Sequence, residues 1–335
     1  MAIKLFPPDT DIELYKEGFG TSDLLGRKTV SQKLSSVVEG IETPVVIALE
    51  GPWGSGKTHF LRRWVGAHTL ENNGVAQTIY FDAFQSDYLE DPLIAITGAI
   101  GQRIGPTSKS IWKKMKGAAS KLAKPVSRIG LAVASYGATE VAAAAVDVAI
   151  EAAAKELEKA TEDFWKKEDG RRAAMEQLKA ALVTLTRTPG GHRPLVVVID
   201  ELDRCRPDYA LNVLEVIKHF FTVPYVHFVL GVNSTALQES VKVRYGTSFN
   251  AEEYLQRFIT LSMRLPDRTG NDGSSSVGLL YFRQAGQSME LPEPTIRAFD
   301  EHLAIIMRRD PISIRDLGRI LTYLALLVTG TGFRD

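Results

Sequence analysis

Val45-Val-Ile-Ala-Leu-Glu-Gly-Pro-Trp-Gly-Ser-Gly-Lys-Thr58 decides how this chain is read. Its first part, Val45 to Leu49, is an apolar, β-branched run of the kind that forms a buried strand. Its second part spaces three glycines ahead of a lysine and a threonine, and His59-Phe-Leu-Arg-Arg-Trp64 continues as a helix. Strand, glycine loop and helix, in that order, are the context in which G-x-x-x-x-G-K-[ST] binds phosphate. Glycine tolerates the positive φ angles that let successive backbone N–H groups converge on one anion. The start of the next helix adds its partial positive charge. Gly51, Pro52, Trp53, Gly54, Ser55, Gly56, Lys57, Thr58 and His59 are therefore the candidate nucleotide-binding residues. Lys57 is placed to reach the β- and γ-phosphates and Thr58 to ligate Mg²⁺. A glycine turn that binds nothing would leave the lysine and threonine, together at the required offset, without a reason.

A site of this kind needs a carboxylate for the metal, and Leu195-Val-Val-Val-Ile-Asp-Glu-Leu-Asp203 supplies it. Five apolar residues make a buried strand, and Asp200 emerges at its carboxyl end, where ligands gather in open α/β sheets. Thr58 and Asp200 are thus the candidate metal ligands. Glu201, beside Asp200, is the candidate base that orients or deprotonates a water attacking the γ-phosphate. Alone, Asp-Glu after a strand reads as a helix cap and an exposed acid; with the phosphate loop it reads as catalytic.

Composition narrows the class. The chain has 335 residues, room for one large or two modest domains, and 44% apolar residues support a sizeable core. Lys+Arg and Asp+Glu number 40 each, and the zero net charge argues against a strongly basic nucleic-acid-binding domain. Cys205 is the sole cysteine, which excludes an intrachain disulfide and a cysteine-rich metal cluster; it reads as a small packed residue. Met1-Ala-Ile-Lys-Leu-Phe-Pro-Pro8 lacks the apolar stretch of a signal peptide, so a cytoplasmic location is expected.

Strands are expected at 45–49, 76–82, 195–199 and 226–233, alternating with helices at 29–40, after Thr58, from 92, at 208–221 and at 252–258. That alternation predicts an α/β fold: a doubly wound, mainly parallel sheet with a helical insertion and a C-terminal helical subdomain. The expected divisions are a lead-in (1–20), the first half of the sheet domain (21–103), a helical insertion (104–170), the second half (171–266) and C-terminal helices (277–330). Gly270-Asn-Asp-Gly-Ser-Ser-Ser276 reads as the loop before those helices.

Several stretches together resemble the KAP family of P-loop NTPases, in its bacterial type. Asp23-Leu-Leu-Gly-Arg27 is similar to the family's segment before the first strand, which lies near the nucleotide base. Trp53-Gly-Ser-Gly-Lys57, Tyr80-Phe-Asp-Ala-Phe84, Ile199-Asp-Glu-Leu-Asp-Arg-Cys205, Tyr254-Leu-Gln-Arg-Phe-Ile259 and Arg264-Leu-Pro266 carry the rest, so the resemblance covers most of 20–325. It implies an ATP-binding, ATP-hydrolysing protein that uses Mg²⁺. Departures stand beside it: Asp82 and Phe84 replace the family's usual Asn and Trp, and Asn233 replaces an acid after the fourth strand. The family's Asn-Pro-Arg becomes Asp310-Pro-Ile-Ser-Ile-Arg315, which puts an arginine sensing the γ-phosphate in doubt at Ile312; Arg315, one turn on, is the candidate in its place.

Asn233 ends the strand expected beside the acidic one, where it reads as a partner for the attacking water or as a cap for the next helix. Arg204, Arg206 and Arg257 are candidates for neutralising transition-state charge, including across to a neighbouring subunit; the alternative for each is a surface ion pair.

Between Asp91 and Glu140 there is no acid, but eight basic residues occur: Arg103, Lys109, Lys113, Lys114, Lys116, Lys121, Lys124 and Arg128. Ile111, Met115, Ala118 and Leu122 fall on one helical face with Trp112 beside them, so 108–128 reads as a basic amphipathic helix able to lie on an anionic membrane surface. The Ala- and Val-rich stretch 129–150 carries Glu140 and Asp147, too costly for a lipid-spanning helix. The expected arrangement is a helical hairpin in which the lysines pair with Glu151, Glu156, Glu158 and Glu162.

Three functions fit these residues. The first is a Mg²⁺-dependent ATPase whose turnover drives conformational change or assembly. The second is a non-hydrolysing nucleotide switch or scaffold that acts at a membrane surface or on a partner protein or a second copy of the chain. The third is a small-molecule kinase, which the Asp-Glu-Leu-Asp-Arg run suits less well than water as acceptor. ATP is favoured over GTP because no Asn-Lys-x-Asp run is present. The resemblance also implies a role in bacterial defence against phage or plasmids.

Overall fold

A computed structural model of the chain describes residues 3–7, 11–20, 23, 25–89, 91–104, 108–122, 169–220, 222–269 and 275–330. Chain order begins with α1 (Lys28–Gly40), β1 (Val46–Glu50), α2 (Lys57–Leu70), β2 (Gln77–Asp82), the short α3 (Ala83–Ser86), α4 (Pro92–Ile104) and α5 (Lys109–Leu122). A helix described over 169–186, α6, leads to a small hairpin of β3 (Arg187–Thr188) and β4 (Gly191–His192). Then come β5 (Leu195–Asp200), a 3-10 turn (Leu202–Arg204), α7 (Pro207–His219), β6 (Val226–Val232), α8 (Ser234–Tyr245), α9 (Ala251–Gln256) and β7 (Leu261–Arg264). A second hairpin, β8 (Arg268–Thr269) and β9 (Ser275–Ser276), precedes α10 (Val277–Ser288), α11 (Glu293–Ile306) and α12 (Ile314–Val328).

Five strands form one parallel sheet in the order β2-β5-β6-β1-β7. β5 and β6 are buried along their whole length, as strands covered on both faces must be. Because strand side chains alternate, Ile47, Leu49, Val196, Val198 and Val229 share a core with Leu34 and Val38 of α1 and Phe60, Leu61 and Trp64 of α2. The intervening Val197, Ile199, Phe228 and Leu230 are buried too. This is the doubly wound α/β architecture that alternating apolar runs and helices predict.

Register fixes the sheet's working edge. Asp82 lies opposite Asp200, Asp200 opposite Gly231, and Gly231 opposite Leu49, so the acidic strand end and the glycine loop after Glu50 are separated by β6 alone. The helices α10 to α12 build their own core from Phe282, Met289, Leu303, Leu317 and Leu321. Leu317, Leu321 and Leu324, spaced four and three apart, are the buried stripe of α12.

The chain divides into two compact units, one of residues 1–90 with 186–335 and one of residues 91–185. The sheet and the C-terminal helices belong to the first. In the second, α4 and α5 pack together, with the Trp112 ring over Gly101, where a Cβ would lie 2.3 Å from the ring. Met115, Ala118 and Ala119 are buried, whereas Lys109, Lys113, Lys114, Lys116 and Lys121 are exposed. Residues 129–150 and Glu151, Glu156, Glu158 and Glu162 lie outside the described residues, as do Lys124 and Arg128. No described helix is long and apolar enough to cross a membrane.

Candidate functional site

The loop between β1 and α2 takes the shape its glycines permit. Gly54 and Gly56 have φ of +83° and +88°, a region that a side chain disfavours. No side chain caps α2 among the described residues, so its first N–H groups are left without that partner. The Lys57 ammonium folds back across the loop, donating to the carbonyls of Gly51 at 2.6 Å and Pro52 at 3.2 Å. Burial pushes that ammonium below the usual lysine range, and Arg204 and Arg315 act the same way; Asp203 and Asp200 oppose them. The buried Ser55 hydroxyl has no partner among the described residues, and nor does the Arg62 Nε.

A cleft of about 320 Å³ opens above this loop. From the loop and α2 it is lined by Trp53 to His59 and by Arg62. Asp200, Glu201, Asp203 and Arg204 come from the acidic strand end, Gly231 from β6, and Tyr281, Ile314 and Arg315 from the C-terminal helices. Ile12 joins them from the N-terminal segment.

Asp200 is 1% exposed. It accepts from the Glu201 N–H at 2.9 Å, the Tyr80 hydroxyl at 2.8 Å and the Thr58 hydroxyl. Burial raises its carboxyl above the ordinary range, and these three donors offset part of that rise. Thr58 and Asp200, predicted as the metal pair from distant stretches, therefore meet. Glu201 has φ +59°, a conformation that carries a local cost outside glycine and turns the chain sharply after the strand. Its carboxylate lies 2.7 Å from the Arg204 guanidinium. Burial raises the Glu201 carboxyl, Arg204 draws it back down, and Asp200, Asp82 and Asp203 raise it further.

The sequence had not pointed to three features. The Trp53 indole N–H donates to Asp203 at 2.6 Å, tying the phosphate loop to the turn after the acidic strand. Tyr80 reaches Asp200 from the neighbouring strand. The start of α12 rests on the loop: a Cβ on Gly54 would lie 2.8 Å from both Ser313 Oγ and Arg315 Cβ. Ser313 caps α12, accepting from the Asp316 N–H at 3.1 Å. Arg315 thus lines the cleft, while Ile312 packs against the core of the C-terminal helices. Trp53, Tyr80 and Arg315 all stand in the stretches quoted above, but nothing in those stretches announces their partners.

Other candidates sit elsewhere. Gly51 and Pro52 touch the site through their carbonyls. His59 lines the cleft and accepts from Arg63 Nε at 3.2 Å; burial, helped by Arg63, Arg27 and Arg62, lowers its pKa to about 4, so it is neutral at pH 7. Asn233 ends β6 and caps α8, accepting from the Ala236 N–H at 3.5 Å, and is not among the residues lining the cleft. Arg206 pairs with Asp87, Arg257 is exposed at the end of α9, and neither lines the cleft. Arg27, from the segment before β1, is buried and donates to the Pro266 carbonyl at 2.8 Å.

Similarity to known proteins is sparse in sequence and broad in coverage. No curated protein matches. Among solved structures, the ORC2 protein of Aeropyrum pernix in its ADPNP–ADP complexes matches at 14% identity, covering 94% of this chain and 70% of that one, with a TM-score of 0.38. Its ADP form matches at 14% identity and a TM-score of 0.39, covering 93% and 73%. PCH-2 of C. elegans matches at 9% identity and a TM-score of 0.28, covering 92% and 69%. The model of the KAP family P-loop domain matches residues 27–330, nearly the whole chain, and the protein belongs to that family.

Proposed function

We propose that this protein is a Mg²⁺-dependent ATPase. The observation that carries the reading is the convergence, in one cleft, of Lys57, Thr58, Asp200, Glu201, Arg204 and Arg315 around a loop whose buried Ser55 hydroxyl has no partner among the described residues. The donor set fits a metal–nucleotide: open N–H groups and a lysine for phosphate, a hydroxyl and a carboxylate for the cation. Lys57 would leave its loop carbonyls for the β- and γ-phosphates. Thr58 and Asp200 would hold Mg²⁺, which supplies charge neutralisation at those phosphates. Glu201 would orient and deprotonate the attacking water once free of Arg204. Arg204 and Arg315 would offset charge developing on the γ-phosphate. Arg206 and Arg257, outside the cleft of their own chain, would act only on a neighbouring subunit. Since α12 begins on the loop, occupancy of the loop would be felt by the C-terminal helices, the route by which turnover drives conformational change or assembly. A role in bacterial defence agrees with the sequence resemblance.

One observation favours a second reading, a switch that binds ATP and hydrolyses it little. The Glu201–Arg204 pair at 2.7 Å engages the carboxylate that would have to be free for hydrolysis. Steady-state hydrolysis of ATP and GTP by the purified protein decides between them. The ATPase reading expects turnover of ATP that Glu201→Gln removes while the variant still binds and accumulates ATP. Tight ATP binding without turnover by wild type would establish the switch.

A further inference from the structure

Both oxygens of the Asp200 carboxylate are already engaged by the protein. Oδ1 accepts from the Glu201 N–H at 2.9 Å and Oδ2 from the Tyr80 hydroxyl at 2.8 Å. A phenol is protonated at neutral pH, so Tyr80 is the donor to the carboxylate. Its backbone is anchored as well: the Tyr80 N–H donates to the Tyr15 hydroxyl at 2.8 Å. On the opposite side stands Gly231, the register partner of Asp200, where a Cβ would lie 2.3 Å from Oδ1 and 2.6 Å from Leu61 Cδ1. Phenol on one side and glycine on the other leave the carboxylate a single seat.

We propose that Tyr80 is a positioning residue for the metal-binding carboxylate and that, with Gly231, it sets which divalent cation accompanies the nucleotide. The inference rests on the Mg²⁺–ATP reading above. A phenol bonded to Oδ2 competes with bidentate use of the carboxylate by one cation. Ca²⁺ takes six to eight oxygens and readily uses bidentate carboxylates, whereas Mg²⁺ keeps an octahedral shell with several waters and needs one or two carboxylate contacts. The seat therefore favours Mg²⁺. Removing the phenol hydroxyl frees Oδ2, lets the carboxylate rotate, weakens the hold on Mg²⁺ and narrows the preference over Ca²⁺. Outer partners of metal ligands generally matter about 10- to 100-fold in metal affinity.

The test is calorimetric titration of a non-hydrolysable ATP analogue into full-length wild type and Tyr80→Phe, each with EDTA, with Mg²⁺ and with Ca²⁺. In EDTA the two should bind alike. With Mg²⁺ the wild-type affinity should rise, and Tyr80→Phe should lose about 10-fold or more of that rise while its Mg²⁺-to-Ca²⁺ ratio falls toward one. Thermal melts check folding, and Gly231→Ala, which crowds the carboxylate from the other side, should lose the Mg²⁺ rise too and carries the test if Tyr80→Phe does not fold. Wild-type Mg²⁺ and Ca²⁺ responses in the variants would overturn the role of Tyr80 and leave the nucleotide reading standing. Failure of wild type to bind the analogue in all three conditions would overturn both.

Discussion

Replacing Gly54 with alanine tests how closely the C-terminal helices rest on the phosphate loop. Gly54 and Gly56 share the same backbone problem, with φ of +83° and +88°, so a Cβ at either costs about 1–2 kcal/mol in that conformation. Their surroundings differ. At Gly54 the new Cβ would lie 2.8 Å from Ser313 Oγ and Arg315 Cβ; at Gly56 the nearest atom, Ile314 Cδ1, is 3.5 Å away, an ordinary contact. Inserting a methyl where there is no room costs about 1–3 kcal/mol more. Gly54→Ala should therefore lose about 2–5 kcal/mol and Gly56→Ala only about 1–2 kcal/mol. The assay is urea unfolding without nucleotide, so that lost ligand contacts do not enter. Because the backbone cost cancels between the two variants, their difference reports the contact with α12. Equal losses, within about 0.5 kcal/mol, would refute the packing of α12 on the loop.

Two further outcomes follow from buried polar contacts. Trp53→Phe and Asp203→Asn, alone and combined, should show a coupling of about 1–2 kcal/mol in the same unfolding assay, since a hydrogen bond to a buried carboxylate is stronger than a neutral one; additive losses would remove the tie between loop and turn. His227 is fully buried, its Nδ1 accepts from the Val45 N–H at 3.3 Å, and burial lowers its pKa from 6.5 to about 4. The folded pKa lies below the unfolded one, so the unfolded chain takes the proton first: this stability is complete above pH 6.5 and is lost as pH falls toward 4. Asp200 and Glu201, with raised carboxyls, act with the opposite sign, so the contribution is read as wild type minus His227→Gln. That difference should shrink by about 2–3 kcal/mol between pH 7 and pH 4.5, and a constant difference would rule the contribution out.

What the sequence discloses here is what local chemistry dictates. The phosphate loop needs glycines at particular offsets, and β5 needs five apolar residues before an acid, so both are written in consecutive residues. Their meeting is nearly as legible, because parallel strands send their carboxyl ends to one edge. The contacts that tune the site are different in kind. Trp53 and Asp203 are 150 residues apart and nothing in either stretch announces the other. Arg204 reads first as a surface ion-pairing residue, and it is the positive φ of Glu201 that folds the turn so that their side chains meet. Asn233 is legible as the end of β6, yet its side chain meets the capping need of α8, a competition that strand position alone does not decide. Arg315 reaches the cleft only because α12 docks on Gly54, a tertiary contact between distant parts of the chain.

A loop built to hold a triphosphate must do so through Lys57. Calorimetric titration of a non-hydrolysable ATP analogue with Mg²⁺ into wild type and Lys57→Ala asks this directly. Wild type should bind one-to-one and the variant at least about 30-fold more weakly, the loss expected when one member of a buried charge pair is removed. Equal affinities, or a wild type that does not bind the analogue, would contradict this reading of the loop.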